Sequence, residues 1–193
     1  MHLNPFFYEK LVRPKFLTSA LKKTVEKEFI LDNKSVLDFG CGTGSNAKLF
    51  DPTKYLGFDV DSGRIALAKK LYPGYKFKVL KTDSLSSEKK QFDIIFISAT
   101  IHHISDSLFK KYLKDFKKVL KPKGRIIIIE PVFCKETRFN NWIMTLFDDG
   151  KYIRYEKQYL DLFGKDFSVV VHKRFKKCIV YNEIFFSASK KEP

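Results

Sequence analysis

A short apolar strand that runs straight into three alternate glycines constrains this chain more than any other feature. Val36-Leu37-Asp38-Phe39 is followed by Gly40-Cys41-Gly42-Thr43-Gly44. Residues without side chains let the backbone turn sharply there and approach a ligand closely. Ser45 to Phe50 then begins a helix that Asp51-Pro52 stops, because proline disfavours helical geometry in the residue before it. Strand, glycine turn and helix form the first unit of an α/β protein, and a nucleotide-like cofactor is implied.

The rest of the chain repeats the alternation. Phe16, Leu17, Ala20, Leu21, Val25 and Phe29 recur three to four apart, which predicts an amphipathic helix over residues 15–30. Tyr55 to Phe58 reads as a second strand ending at Asp59, and Asp61 or Ser62 caps a helix that runs to Pro73-Gly74. Tyr75 to Leu80 is a third strand. The nearly continuous apolar run Phe92 to Ile97 suits a central parallel strand covered on both faces. Ser105 caps a helix with one apolar stripe from Leu108 to Leu120, broken by Lys121-Pro122-Lys123-Gly124, and Arg125 to Ile129 is a further buried strand. A helix from Arg154 to Phe163 precedes a hairpin of Phe167 to His172 and Cys178 to Ser187. The expected fold is α/β, a doubly wound, mostly parallel seven-stranded sheet with an antiparallel C-terminal hairpin. One domain is expected over residues 1–193: an N-terminal helical segment over 1–34, a cofactor-binding core over 35–131, and an acceptor-side helix and final hairpin over 132–193.

Composition narrows the setting. No apolar run of about 18 residues predicts a membrane span, and the first residues do not read as a secretion signal. Cys41, Cys134 and Cys178 are odd in number and lack metal-ligand spacing, so neither a disulfide framework nor a metal site is expected, and a cytoplasmic location follows. The formal charge of +15 comes mostly from lysines scattered in pairs, which read as solvated faces. His172-Lys173-Arg174-Phe175-Lys176-Lys177 is the densest basic run and a candidate contact for an anion.

Acidic residues follow successive strands. Asp59 is placed to accept hydrogen bonds from both hydroxyls of a ribose, Asp83 to meet a base edge, and Asp38 to hold the turn or meet an ammonium group. A dinucleotide fingerprint would want a glycine at position 45, where Ser45 stands. Because Asp59 lies about 20 residues beyond the turn, a nicotinamide-dependent oxidoreductase remains a competing reading.

In motif order the chain resembles the class I S-adenosylmethionine methyltransferases over about residues 35–131. The resemblance rests on Val36 to Gly44, Gly57-Phe58-Asp59, Thr82-Asp83-Ser84, Phe92-Asp93-Ile94-Ile95-Phe96 and Leu120-Lys121-Pro122-Lys123-Gly124-Arg125. It implies S-adenosyl-L-methionine as cofactor, with S-adenosyl-L-homocysteine as product. The implied cofactor-binding residues are Asp38, Gly40, Cys41, Gly42, Gly44, Asp59, Val60, Asp83, Ser84 and Ser98. His102 and His103 follow the fourth strand and are the candidate catalytic bases. Phe133, Arg138, Trp142, Tyr152, Arg154 and Tyr155 are candidates for an acceptor pocket.

The fourth motif lacks the Asn-Pro-Pro-Tyr or Asp-Pro-Pro-Tyr sequence used on exocyclic amines, and a Pro-Cys nucleophile is absent. Ile101-His102-His103-Ile104 is similar to the small-molecule branch that includes quinone-biosynthesis enzymes. Methylation of a small-molecule acceptor at oxygen or carbon is therefore expected. The alternatives are an RNA methyltransferase using the basic surface and a noncatalytic cofactor-binding partner protein. Nothing in the sequence specifies an oligomeric state.

Overall fold

In a computed structural model of the chain, the structure describes residues 23–81, 85, 88, 90–177 and 181–191. They fall into two compact units, Met1–Lys81 and Thr82–Pro193.

In the first unit, β1 (Val36–Phe39), β2 (Tyr55–Asp59) and β3 (Lys76–Val79) run parallel in the order β3-β2-β1. β1 and β2 are buried along their whole length, including the carboxylates Asp38 and Asp59. Tyr55 packs edge-on against Tyr75 and Phe77, with ring centroids 5.3 and 5.6 Å away. Helix α1 (Ser62–Leu71) starts where expected, with the Asp61 carboxylate accepting from the Arg64 amide at 3.0 Å. The helix expected from Ser45 to Phe50 is only a 3-10 turn, Ala47–Leu49. Asn46 provides no side-chain cap and Phe50 is already extended, so the segment closes only this one turn. Of the N-terminal helix, residues 23–26 are helical with Val25 buried, while residues 15–22 lie outside the described residues.

In the second unit, β4 (Phe92–Ser98) and β5 (Leu120–Phe133) are parallel, and β8 (Tyr181–Lys190) joins β5 antiparallel and carries β7 (Phe167–Lys177) as its hairpin partner. The two-residue strand β6 (Arg154–Tyr155) pairs with the end of β5. The mostly parallel α/β class with an antiparallel C-terminal hairpin is thus the one found. Ser105 caps α2 (Asp106–Val119), its hydroxyl accepting from the Leu108 amide. Lys121-Pro122-Lys123-Gly124 ends that helix but lies inside β5: Leu120 pairs with Phe92 and Arg125 with Ile94, so the four residues bulge opposite Asp93. Lys121 Nζ holds the Asp93 carboxylate at 2.8 Å across the bulge. Helix α3 (Arg138–Phe147) has no counterpart in the expected pattern. The helix expected from Arg154 is shorter, because Arg154 and Tyr155 pair as β6 before α4 (Glu156–Asp161) begins. Ile126 to Ile129, Phe185, Phe186, Phe109 and Phe163 form this unit's core. Among the described residues no helix is long and apolar enough to cross a membrane.

Candidate active site

In the first unit, the backbone after β1 folds back over the end of β2. Gly40 and Cys41 amides both donate to the Phe58 carbonyl, at 2.8 and 2.9 Å. Gly40, Gly42 and Gly44 all take positive φ, 75°, 54° and 82°, a region costly for residues with a Cβ. A side chain at Gly44 would also strike Phe77, whereas nothing lies within 4 Å of a Cβ at Gly42. The turn is therefore closed on the core side at Gly44 and open at Gly42.

Asp59 ties the turn to the end of β2. Its Oδ2 accepts from the Gly42 amide at 2.8 Å and its Oδ1 from the Asp61 amide at 2.9 Å. Each carboxylate oxygen has two acceptor directions, so a second donor on each, such as a ribose hydroxyl, is still accommodated. The next residue, Val60, is 67% exposed, an apolar surface beside a buried carboxylate. Asp38 is buried and accepts from the Tyr55 hydroxyl at 2.6 Å. The Cys41 thiol is driven far above its ordinary range by burial, then by the charges of Asp38 and Asp59, so it stays neutral. This carboxylate-braced glycine turn fits a ribose-bearing cofactor. Asp83 and Ser84 lie outside the described residues.

In the second unit, Ser98 ends β4 and is buried, and Ala99 beyond it adopts φ 50°, turning the chain into the histidine turn Ile101–His103. The turn is fastened by Glu130, wholly buried near the end of β5. Glu130 Oε1 accepts from the Thr100 and Ile101 amides at 2.7 and 2.8 Å. Its Oε2 meets the His102 amide at 3.2 Å and His102 Nδ1 at 2.7 Å. Asp148 Oδ1 stands 3.3 Å from the other ring nitrogen. Arg154, expected in an acceptor pocket, is instead buried and committed: it donates to the carbonyls of Ile101, Ile104 and Tyr152 and to Asp106. A guanidinium with donors spent on its own chain has little left for an acceptor.

These contacts decide the charge of His102. Burial alone lowers an imidazole pKa, but the hydrogen bonds to Asp148 and Glu130 outweigh it and raise His102 to about 9. Burial pushes Asp148 up, and His102 reverses this and holds it at about 2. His102 is thus an imidazolium at neutral pH, with a carboxylate at each nitrogen. His103 is exposed, its ring 4.1 Å from that of His102.

A pH dependence follows. His102 is raised from 6.5 to about 9 on folding, so its contribution is full below 6.5 and disappears as pH rises through about 9. Asp148 is lowered from 3.8 to about 2, so its contribution is full above 3.8 and disappears as pH falls through about 2. Thermal unfolding of the wild type and His102→Gln across this range is expected to show a stability gap of about 3 kcal/mol near pH 6 that closes above about pH 9. A gap independent of pH would contradict the charged pair.

Comparison with known proteins gives the chain its place. Residues 11–166 match the family described as a methyltransferase domain. The chain belongs to that family. The malonyl-[acyl-carrier protein] O-methyltransferase of Calditerrivibrio nitroreducens is 27% identical over 182 residues, covering 92% of this chain and 69% of that protein. The demethylmenaquinone methyltransferase of Thermotoga maritima is 28% identical over 134 residues, covering 67% of this chain and 58% of its own length. Among solved structures, magnesium protoporphyrin IX methyltransferase from Synechocystis, with bound S-adenosylhomocysteine, superposes at a TM-score of 0.69 with 15% identity, covering 98% and 90% of the two chains. A protein from Pyrococcus horikoshii reaches 0.71 with 18% identity, covering 95% and 98%. At these identities the structures speak for the fold. This methyltransferase is of the class I, S-adenosylmethionine-dependent type.

Sequence reasoning missed two residues. Glu130 was legible only as the single acid closing the run Ile126-Ile127-Ile128-Ile129, the signal that a buried carboxylate has a job. Asp148 carried no signal, because its link to His102 spans 46 residues of chain.

Proposed function

We propose that the chain transfers the methyl group of S-adenosyl-L-methionine to a small-molecule acceptor, at oxygen or carbon. The observation that carries the reading is the Asp59 carboxylate braced against the Gly42 amide, over a turn with open space at Gly42. Asp38, Gly40, Cys41, Gly42, Gly44 and Asp59 would hold the cofactor, with the ribose hydroxyls on Asp59 and the base beside Val60. Asp83, Ser84 and Ser98 complete the proposed set. Bound there, the cofactor supplies an electrophilic sulfonium methyl whose departing thioether is neutral. The chain therefore needs no group to stabilise a leaving anion, and its work is alignment and exclusion of water.

Both nitrogens of His102 face carboxylates and the ring is already protonated, so His102 positions the turn and takes up no proton. His103, exposed beside it, is the proposed base for an acceptor hydroxyl or acidic carbon. We expect His103→Ala to lower turnover by roughly 100-fold while leaving S-adenosylhomocysteine affinity within about twofold. Equal turnover in the variant would remove His103 from the chemistry.

The acceptor class is tested by supplying S-adenosylmethionine labelled in its methyl group to metabolite and RNA fractions in parallel. Label in low-molecular-weight products supports the reading. Label in RNA with steeply salt-dependent binding favours the nucleic-acid alternative, and label in neither, with the cofactor still bound, favours a noncatalytic partner. The cytoplasmic setting expected from the unpaired thiols is part of the same proposal.

A further inference from the structure

Helix α3 is built inside out. Its inner side carries Met144, which is buried, and Asn141, whose side-chain amide closes two hydrogen bonds with the Cys134 backbone at 3.1 and 2.8 Å. Its outer side carries Phe139, Trp142 and Leu146 at helical spacing, 66%, 58% and 58% exposed, and Phe147 at its end is 78% exposed. Phe139 and Trp142 lie together, ring centroids 5.9 Å apart. Large apolar groups are ordinarily scattered on a surface, so a continuous stripe of three rings and a leucine marks a contact face. Residues 138–147 contain no acid and one base, Arg138.

The surroundings of this stripe are basic. Thr137 at the start of α3 accepts from the Asn182 side chain at 2.8 Å, and Tyr181 donates to Asp148 just past its end. Asn182 pairs with Lys176, so the basic run on β7 lies alongside this helix. Cys134 lies within reach of the same groups: its thiol is raised by burial and then by Glu136, and lowered by the Thr137 side chain and, least of all, by Lys176. Lys135 and Lys151 on the connecting segments, Arg138 at the start of α3 and Lys176 on β7 are exposed. The exposed acids beside them are Glu136 and Asp149, since Glu156 is held by Arg174 at 2.6 Å.

We infer that α3 and the basic end of β7 form a docking face for an anionic lipid bilayer, with Phe139, Trp142, Leu146 and Phe147 entering the headgroup boundary. An apolar stripe flanked by lysine and arginine is the pattern of interfacial helices, and a negatively charged leaflet complements both the local cations and the net charge of +15. The helix, of ten residues, is about 15 Å long, which suits lying along a surface and not crossing it. The inference is independent of the acceptor's identity and of methyl transfer.

Trp142 is the chain's one tryptophan, so its emission reports on this face alone. The full chain, without cofactor, is titrated with phosphatidylglycerol vesicles and separately with phosphatidylcholine vesicles. The expected result is a blue shift and co-sedimentation with the anionic vesicles, reduced at least roughly tenfold in the neutral ones and by high salt. The variant Phe139→Ser/Leu146→Ser/Phe147→Ser keeps the reporter and is expected to lose binding by roughly tenfold or more, with its unfolding temperature unchanged because all three side chains are exposed. Emission already blue-shifted before vesicles are added would mean that another part of the chain or a second copy covers the face, and would overturn the inference. Equal binding to both lipids, or no binding, would overturn it as well.

Discussion

Replacing Asp59 with alanine is expected to weaken S-adenosylhomocysteine binding by roughly 100-fold or more, because the two charge-assisted hydrogen bonds proposed to the ribose would be lost together. The carboxylate also fastens the Gly42 and Asp61 amides, so the variant loosens the glycine turn from β2 at the same time. Asp59→Asn keeps the shape and one acceptor oxygen and is expected to fall between wild type and Asp59→Ala. Calorimetric titration of all three separates the outcomes. A loss below about threefold in Asp59→Ala would mean that the cofactor sits elsewhere.

The second large effect belongs to Glu130. Its removal strands three backbone amides and leaves the His102 imidazolium with Asp148 as its remaining carboxylate, in a site where both side chains of the His102–Glu130 pair are almost fully buried. Breaking one partner of such a pair costs on the order of 3–5 kcal/mol, which for a domain of this size lowers the unfolding temperature by about 10 °C. Glu130→Ala is expected to show that loss in a thermal scan, together with loss of turnover as the histidine turn comes free. Glu130→Gln retains acceptors for the amides but cannot neutralise His102. Its cost should shrink when combined with His102→Gln, since the charge left unpaired is then gone. Additive costs in the double variant would contradict the coupling.

What could be read in advance was whatever the chain writes locally. The glycines at positions 40, 42 and 44 marked a sharp turn of the backbone, and all three take positive φ there. Asp59 at the end of β2, Asp61 as a helix cap and Ser105 as another were set by their immediate neighbours. The run Phe92 to Ile97 could hardly be other than a buried strand. Misreadings arose where a distant partner decides. Ser45 to Phe50 fails for a local reason instead: Asn46 offers no side-chain cap and Phe50 is already extended, so only Ala47–Leu49 turn, as a 3-10 helix. Lys121-Pro122-Lys123-Gly124 reads as a break, but hydrogen bonding to β4 on either side makes it a bulge in a single strand.

Around the candidate site the same division holds. The histidine pair was visible, but the difference between its members was not, because two carboxylates from elsewhere in the chain make one a buried cation. Arg154 looked like a ligand-binding group and proved to be a clasp for the histidine turn, a role set by three carbonyls and Asp106. Helix α3 escaped notice for a different reason. An amphipathic pattern is ordinarily read with its apolar side inward, and here that side faces outward.

The central claim is that the turn after β1 and the carboxylate ending β2 hold S-adenosylmethionine. Calorimetric titration of the wild-type chain with S-adenosylhomocysteine, and in parallel with nicotinamide adenine dinucleotide, tests it most directly. The account predicts saturable binding of one S-adenosylhomocysteine per chain and no measurable heat from the dinucleotide. Tight dinucleotide binding with none of S-adenosylhomocysteine would contradict it.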